Sequence, residues 1–450
     1  GLLPRSVLNM LPLFLLLVVS DGYASEVSAV QPLILTVSSL SRDTVSSVVP
    51  VDREVQIHVS EEFDRIALYD SNPQGQNREP IYVVGAEHDF IETNVSLGNP
   101  DFPQGWALNS QSDVAGVHVP GEHCLPVWVA GFRNKEIVYT DCLKIHPTWM
   151  QDSKLFIGNL DVRSLFIPGT HNSGCYKRGE KLSLRDTIGR YILTQDQSVW
   201  NQLVYGIRYL DFRIGYYPTK ENSSITDDHE SRFWINHDLI KVRPFAPVLG
   251  QIKKFLERTT NEVVIMDLHR FPIGFNMREE RHAAFVSFLE RELKDLAIPF
   301  TSSQLTLDKI WTTPGRLIIS YGENSIAQTK DWLWPPIKQL WGNKATMEEL
   351  EDFMSKIVSN DSLQNPDKGL WAAMAQLTPG PLELLFNPKG SLREMAHKVN
   401  PNLMRWCQRS HWWRKLRIVP TDFFLETDIV NLAINANVLK SHQDTRYDTD

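Results

Sequence analysis

The sequence has little cysteine, no excess of positive charge and, after its N-terminal segment, no long apolar run. Its 450 residues carry a formal net charge of −8, which argues against nucleic-acid binding and gives no overall attraction to anionic membranes. No later run approaches the length of a transmembrane helix, and no internal repeat or low-complexity tract is present. At this length, two domains are the default expectation.

The one long apolar run occupies residues 11–19, preceded by Arg5 and followed by the small residues Gly22 and Ala24. This run of about ten residues is too short to span a bilayer, and the order of its features is typical of a secretory signal peptide. We therefore expect residues 1–24 to be a signal peptide and the mature protein to be secreted.

The four cysteines of a secreted chain are candidates for two disulfides, and four cysteines allow three pairings. We favour Cys124 with Cys142, because both lie in one predicted β region. This choice leaves Cys175 with Cys407, and free buried thiols are the alternative for that second pair. Glycosylation sequons begin at Asn94, Asn222 and Asn360.

Residues 25–146 show short β-branched or aromatic runs that alternate with turn-forming residues. The runs are residues 55–59, 65–69, 81–84 and 127–130. Short strands at such intervals predict an all-β, sandwich-like domain. This region holds no catalytic constellation, so we interpret it as an accessory or interaction module, and the sequence does not identify its partner.

Residues 147–450 show a different pattern, in which strand-like runs alternate with helical ones. The apolar runs are at 163–167, 208–214, 233–236, 262–268, 316–320, 370–375 and 416–424, and helical patterns cover 245–256 and 280–296. Strand–helix alternation over ~300 residues predicts an α/β fold of the (β/α) barrel type.

Chemistry-bearing residues lie in or directly after three of these runs. His171 follows a Pro-Gly-Thr turn, and His237 directly follows the run 233–236. Asp211 and Arg213 alternate along a strand, so their side chains share a face and can pair. Two imidazoles with a carboxylate and a guanidinium suit acid–base phosphoryl chemistry, because one ring can take a proton while the other gives one.

Five motifs, in this order, resemble those of the phosphatidylinositol-specific phospholipase C (PI-PLC) X-domain proteins. They are residues 168–173, 206–213, 236–238, 263–269 and 419–424, and the resemblance covers roughly 161–437. It implies a distorted TIM barrel whose active site lies at the C-terminal ends of the strands. It also implies a phospholipid or inositol phosphodiester substrate and peripheral contact with a membrane.

The resemblance also implies a role for each catalytic residue. His171 matches the general base that deprotonates the inositol 2-hydroxyl, and His237 matches the general acid that protonates the departing diacylglycerol oxygen. Asp422 matches the carboxylate that orients the base through its other ring nitrogen. Arg213, beside Asp211, matches the guanidinium that stabilises charge on the phosphorus oxygens.

Two positions predict that the reaction needs no metal and no other cofactor. Calcium-dependent relatives place carboxylates where this chain has Arg213 and His269, and a hard cation needs several oxygen ligands. We expect Asn172, Asp238, His269 and Tyr321 to contact the substrate. Asp238 departs from the glycine that is usual at its position.

The sequence does not determine the headgroup, because the headgroup contacts of bacterial members are not matched residue by residue. Phosphatidylinositol or a glycosylphosphatidylinositol is the expected substrate. The alternatives are a phosphodiesterase for another lipid headgroup and a catalytically weak or inactive secreted binding module. Two tryptophan-rich stretches, 332–341 and 405–415, suit either membrane contact or core packing, and we favour packing.

Overall fold

The computed structural model describes residues 31–40, 53–75, 78–85, 87–98, 100–108, 123–176, 190–218, 229–380, 390–409 and 412–447. The expected signal peptide and the sequon at Asn222 lie outside these residues. Within these ranges, no helix combines the length and the apolar character needed to cross a bilayer.

The described strands between Leu33 and Lys144 form two antiparallel sheets. Their strands are β1 (Leu33–Val37), β2 (Glu54–Val59), β3 (Arg65–Tyr69), β4 (Tyr82–Val84), β5 (Phe90–Ser96), β6 (Cys124–Arg133) and β7 (Glu136–Lys144). One sheet has the order β1-β2-β5 and the other β4-β3-β6-β7. The sequence predicted β2, β3, β4 and the centre of β6, and it missed β1, β5 and β7.

The two sheets share a hydrophobic core with the rest of the chain. Leu33 and Val127 belong to the same continuous cluster of buried side chains as Trp200 and Phe424. The Trp200 indole Nε1 also donates a hydrogen bond of 2.7 Å to the carbonyl of Trp106. The β region is therefore packed directly onto the C-terminal part, and an independent sandwich domain stays a prediction.

The described residues of the C-terminal part have a mixed α/β fold built on nine strands. They are β8 (Ile167–Thr170), β9 (Tyr209–Tyr216), β10 (Phe233–His237), β11 (Ile240–Pro244), β12 (Val264–Ile273), β13 (Leu317–Tyr321), β14 (Lys338–Leu340), β15 (Trp371–Ala373) and β16 (Ile418–Thr421). Seven run parallel in the order β13-β12-β9-β8-β16-β15-β14, and the hairpin β10–β11 pairs antiparallel with β9.

The two outer strands of this parallel sheet, β13 and β14, lie near each other but are not paired along their length. Ser320 of β13 forms an isolated parallel bridge with Trp334, which precedes β14. Across the described ranges no ladder joins β13 directly to β14, so a closed barrel is not seen. The α/β prediction is confirmed, and the closed form of the sheet stays a prediction.

Helices alternate with these strands. They are α1 (Trp149–Asp152), α2 (Lys154–Ile157), α3 (Val199–Tyr205), α4 (Phe245–Arg258), α5 (Glu279–Leu293), α6 (Leu307–Trp311), α7 (Asn324–Ala327), α8 (Met347–Val358), α9 (Leu392–Arg409) and α10 (Ile429–Tyr447). The two predicted helical patterns coincide with α4 and α5. In α4 the buried residues Phe245, Val248 and Ile252 recur at helical spacing and face the sheet side of the core.

Two local features shape the strand ends that carry chemistry. Gly169 of β8 lies opposite Tyr209 of β9, and a Cβ atom there would lie 2.7 Å from Tyr209 Cδ1, so only glycine permits this approach. In β10, the pairing register with β11 shifts between Ile235 and Asn236. Such irregularities turn the following side chains, here including His237, relative to the regular alternation.

The cysteines give one confirmed and one wrong prediction. Cys124 and Cys142 form a disulfide between the paired strands β6 and β7. Cys175 and Cys407 are free and buried. Strands β8 and β16 are neighbours, as that second pairing required, but Cys175 lies in the turn after β8 and Cys407 lies in α9. Strand proximity therefore does not bring the two thiols together.

Candidate active site

Two neighbouring strand ends bring His171 and Asp422 together. His171 follows β8 and Asp422 follows β16, and these strands pair up to Thr170 and Thr421. His171 Nδ1 and Asp422 Oδ1 are 2.8 Å apart, and both side chains are buried. Since a carboxylate oxygen only accepts, Nδ1 carries the proton and donates it, which leaves Nε2 as an acceptor.

Two donors face the accepting nitrogen of His171. Arg213 Nη2 lies 3.2 Å from His171 Nε2, and Asn172 Nδ2 also lies 3.2 Å from it. The imidazole is therefore held at both nitrogens. Its accepting nitrogen lies beside a guanidinium, the group that best matches the oxygens of a phosphate.

His237, at the end of β10, lies across from His171. The two ring centroids are 6.4 Å apart and the rings are nearly perpendicular, at 83°. His237 Nδ1 donates to the carbonyl of Ile192 at 2.6 Å. Desolvation lowers the pKa of His237, and the charges of His171 and Arg213 act in the same direction, while the Ile192 carbonyl and Asp238 oppose them.

Asp211 is fully buried beneath Arg213. Its Oδ2 accepts the Asn172 N–H at 3.0 Å and lies 3.8 Å from Arg213 Nη2. Its Oδ1 accepts from Gln339 Nε2 at 3.1 Å. Burial opposes ionisation of Asp211, but the Arg213 guanidinium, with two nearby imidazoles, holds the pKa of Asp211 below its usual value. The pair places a fixed negative charge under a guanidinium that faces the two histidines.

Each of the three strand ends continues into a residue with a left-handed backbone. These residues are Asn172 (φ 43°), Asp238 (φ 48°) and Phe423 (φ 46°). Asparagine and aspartate tolerate this conformation, whereas phenylalanine pays a strain of order 1–3 kcal/mol. The departure from glycine at Asp238 therefore keeps a residue type that suits the turn. Its carboxylate is 77% exposed and lies 3.7 Å from Arg213 Nη1.

A second polar cluster extends the site beyond Asp211. Tyr209 donates its hydroxyl to Asp267 Oδ2 at 2.6 Å, and Gln339 Nε2 lies 3.3 Å from the same oxygen. His269 Nδ1 lies 3.6 Å from Asp267 Oδ2. Sequence reasoning selected His269 but missed Asp267, although alternation along β12 puts both on one face. No local signal pointed to Gln339.

Several buried polar atoms here have no hydrogen-bond partner among the described residues. They are Asn172 Oδ1, Arg213 Nε, Asn236 Oδ1, Asp267 Oδ1 and His269 Nδ1. An unpaired buried polar group costs about 1–3 kcal/mol, so such atoms concentrate where a polar ligand binds. Over the same described ranges, no group of three or more His, Cys, Asp or Glu side chains is arranged to hold a metal ion.

One candidate residue, Tyr321, and one further carboxylate, Asp428, have partners outside this cluster. Tyr321 is fully buried, its hydroxyl lies 2.7 Å from His282 Nδ1, and its ring packs on Phe271. Burial raises the pKa of Tyr321, and the substrate contact expected of it is not supported by this position. Asp428, a second carboxylate six residues after Asp422, accepts from Asn431 Nδ2 at 2.6 Å at the start of α10. Burial raises the pKa of Asp428 to about 7.

The tryptophan-rich stretches mostly serve packing. Five of their tryptophans are buried, namely Trp332, Trp334, Trp406, Trp412 and Trp413. Trp341 is the exception at 47% exposure, and its Nε1 donates to Thr378 Oγ1 at 2.9 Å. The favoured packing interpretation therefore fits all but Trp341.

Comparison with known proteins found no matching family model, but it found curated relatives. PI-PLC X domain-containing protein 1 of Homo sapiens is 25% identical over 286 residues, which cover 59% of this chain and 84% of that protein. PI-PLC X domain-containing protein 2 of Mus musculus is 23% identical over 313 residues, 65% of this chain and 87% of that protein. The chain is a homologue of the PI-PLC X domain-containing proteins.

This homology confirms the family resemblance that the five motifs predicted. Among solved structures, a variant of phosphatidylinositol-specific phospholipase C from Staphylococcus aureus has a TM-score of 0.48 and 16% identity, and the match covers 65% of this chain and 97% of that one.

Proposed function

We propose that this PI-PLC X domain homologue is a phosphodiesterase that cleaves a phospholipid headgroup by metal-independent acid–base catalysis. The observation that carries the proposal is the pair of imidazoles 6.4 Å apart, with Arg213 at the accepting nitrogen of His171. At this separation both rings can reach atoms of one phosphodiester, which a base and an acid acting in sequence require.

In the first step, His171 Nε2 takes the proton of a headgroup hydroxyl. The freed oxygen attacks phosphorus and forms the new P–O bond. The ring becomes an imidazolium, and Asp422, 2.8 Å from Nδ1, stabilises that charge and keeps the ring orientation. The orphaned Asn172 Oδ1 and His269 Nδ1 can hydrogen-bond other polar atoms of the headgroup.

In the second step, the bond between phosphorus and the lipid oxygen breaks. His237 Nε2–H supplies the proton to that oxygen, because Nδ1 is committed to the Ile192 carbonyl. The lowered pKa of His237 favours release of the proton once the ring is charged. The products are a cyclic phosphodiester of the headgroup and a neutral lipid alcohol.

Arg213 supports both steps by holding the charge that develops on the non-bridging oxygens. Its guanidinium lies between His171 and Asp238 and above buried Asp211. A fixed cation at that position supports catalysis without a metal. A preorganised charge of this kind contributes about 10²–10³ in rate.

The substrate we propose is phosphatidylinositol or a glycosylphosphatidylinositol, met by a secreted enzyme at a membrane surface. A different phospholipid headgroup is the second candidate. The position of Tyr321 favours it, since one of the expected substrate contacts is instead buried against His282. The polar atoms of Asp267 and Gln339 near the site suit any headgroup that carries hydroxyls.

The test is hydrolysis of phosphatidylinositol vesicles by the full chain in excess chelator. We expect turnover that survives chelation and falls by about 10⁴-fold in His171→Ala. The matched control is His88→Ala, at an exposed histidine in the β region, which should equal the parent. Turnover only on other headgroups would favour the second candidate. No turnover on any phospholipid, with or without calcium, would contradict catalysis and favour a binding role.

A further inference from the structure

We propose that the β1-β2-β5 sheet positions the catalytic residues. Arg53 and Gln56 act through the buried carboxylates of Asp196 and Glu426, which hold the turn that follows Asp422. The inference rests on the proposed function, and it gives the β region a role inside the site rather than as a separate module.

One segment, residues 192–196, contacts the backbone after two strand ends. The carbonyl of Thr194 accepts the N–H of Phe423 at 2.8 Å. Gln195 Nε2 donates to the carbonyl of His171 at 3.1 Å. The same segment supplies the carbonyl that orients the general acid. Moving this segment would therefore move the base, the acid and the orienting carboxylate together.

Asp196, the last residue of that segment, is fixed from the β region. Its buried carboxylate lies 3.2 Å from Arg53 Nη1 and accepts from Arg393 Nη1 at 2.9 Å. The same Arg393 atom donates to the carbonyl of Ser39, just after β1, at 3.0 Å. The Arg393 guanidinium also lies 4.4 Å from the centre of the Phe423 ring. Burial opposes ionisation of Asp196, but its two arginines lower its pKa.

Glu426 is a second anchor between the same two regions. Its Oε1 accepts from Gln56 Nε2 at 3.2 Å and from His397 Nδ1 at 2.7 Å. Gln56 is fully buried in β2, and its Oε1 accepts from Thr36 Oγ1 of its cross-strand partner at 3.3 Å. A buried glutamine and a buried glutamate gain little from burial itself, so their defined hydrogen bonds point to orientation of the segment that carries Glu426.

These anchors surround a strained residue. Phe423 adopts a left-handed backbone, and such strain persists only where surrounding contacts over-determine it. The contacts are the Thr194 carbonyl, the Arg393 guanidinium and Asn400 Nδ2, which donates to the carbonyl of Asp422 at 2.9 Å. If the anchors are lost, the turn can relax and carry the Asp422 carboxylate away from His171. A displacement of about 1 Å can cost about 10²-fold in rate.

The experiment compares Arg53→Met and Gln56→Leu with Arg133→Met. Arg133 is the matched control, because it pairs with Glu61 in the same region but both side chains are about half exposed. We measure kcat and KM on phospholipid vesicles, the pH profile, thermal unfolding and the imidazole NMR signals of His171. We expect kcat to fall about tenfold with KM unchanged, and the His171 signals to shift, in the first two variants only. Arg53→Lys should restore most of the lost kcat.

A parent-like kcat and unchanged His171 signals in folded Arg53→Met and Gln56→Leu would overturn the proposal. If Arg53→Met does not fold, Gln56→Leu and Arg53→Lys decide it by the same readouts. If the parent hydrolyses no phospholipid, the proposed function fails. The NMR signals of His171 still test whether Arg53 and Gln56 position the residues of the site. A His171 shift confined to the two anchor variants then supports it, and an absence of shift contradicts it.

Discussion

His171 and His237 face each other across one site but are held by different groups. The Nδ1 of His171 meets the carboxylate of Asp422, and the Nδ1 of His237 meets the backbone carbonyl of Ile192. A carboxylate stabilises a positive charge that forms on the ring, whereas a carbonyl orients the ring with only a partial charge. The partner of Nδ1 therefore separates a ring suited to gain a proton from one suited to lose it.

The electrostatic surroundings add to this difference. Desolvation and the charges of His171 and Arg213 lower the pKa of His237. Arg213 also donates to His171 Nε2, so in the proposed mechanism one guanidinium orders the base and favours proton loss from the acid. Under the proposed mechanism, two residues of the same type thus receive opposite tasks from their neighbours, as environment-tuned catalytic pairs do.

After His171→Ala, the largest effect on activity should come from Asp422→Asn, which removes the carboxylate that distinguishes His171 from His237. The amide keeps the size of the side chain but cannot balance an imidazolium and can favour the wrong tautomer of His171, so kcat should fall by about 10³-fold or more. Steady-state kinetics on vesicles measures this. An asparagine variant within tenfold of the parent would mean that the carboxylate of Asp422 is not what distinguishes His171 from His237.

The role of His237 should show in how the loss of kcat in His237→Ala depends on the leaving group of the substrate. With a natural phospholipid, loss of the general acid should lower kcat by about 10²-fold. With a nitrophenyl phosphodiester of the same headgroup, whose leaving oxygen needs no protonation, the loss of kcat should shrink to a few-fold. His171→Ala should be impaired equally on both substrates. Equal losses for His237→Ala on both substrates would contradict its role as the acid.

The pH profile should report the lowered pKa of His237. The acid must be protonated, and its pKa lies below 6.5, so kcat/KM should fall by about tenfold per unit as pH rises past that lowered value. The measurement is kcat/KM between about pH 4 and pH 8 on both substrates. This limb should be present for phospholipid and absent for the nitrophenyl ester. If kcat/KM falls in the same way with pH on both substrates, the group that titrates is not His237.

The smallest effect should come from Asp238→Gly. Glycine adopts the left-handed backbone freely, and the lost carboxylate is 77% exposed, which weakens both its 3.7 Å ion pair with Arg213 and its effect on the pKa of His237. Activity should therefore stay within about fivefold of the parent. Asp238→Val, with a β-branched side chain at positive φ, should lose more activity and stability. A large loss of substrate affinity in the glycine variant would instead support the direct substrate contact expected from the sequence.

The sequence predicted the parts of the site that depend on local patterns. Alternation put Asp211 and Arg213 on one face of β9. The turn predicted at Pro-Gly-Thr was wrong, because residues 168–170 pair with β16 as the end of β8, and the turn begins at His171. Asn172 and Asp238 are themselves signals of a left-handed residue. Phe423 gives no such signal, because its conformation is imposed by Thr194 and Arg393 from distant parts of the chain.

What the sequence missed depends on contacts between distant segments. Arg53, Gln56 and Glu426 are single polar residues in runs that read as ordinary strand or loop, and only the packed chain brings them together. The Cys175–Cys407 pairing was wrong for a related reason, since neighbouring strands do not place side chains in the turns and helices attached to them. Pairings between remote segments are fixed by tertiary packing, which propensity does not encode.

The continuous core has a thermodynamic consequence. Leu33 of β1 and Val127 of β6 are buried in the same cluster as Trp200 of α3. Separating these regions would expose apolar surface on both sides and leave the Arg53–Asp196 charges without partners. Heat or denaturant should therefore melt both regions in one cooperative transition, so that activity and the β-sheet signal are lost over the same interval.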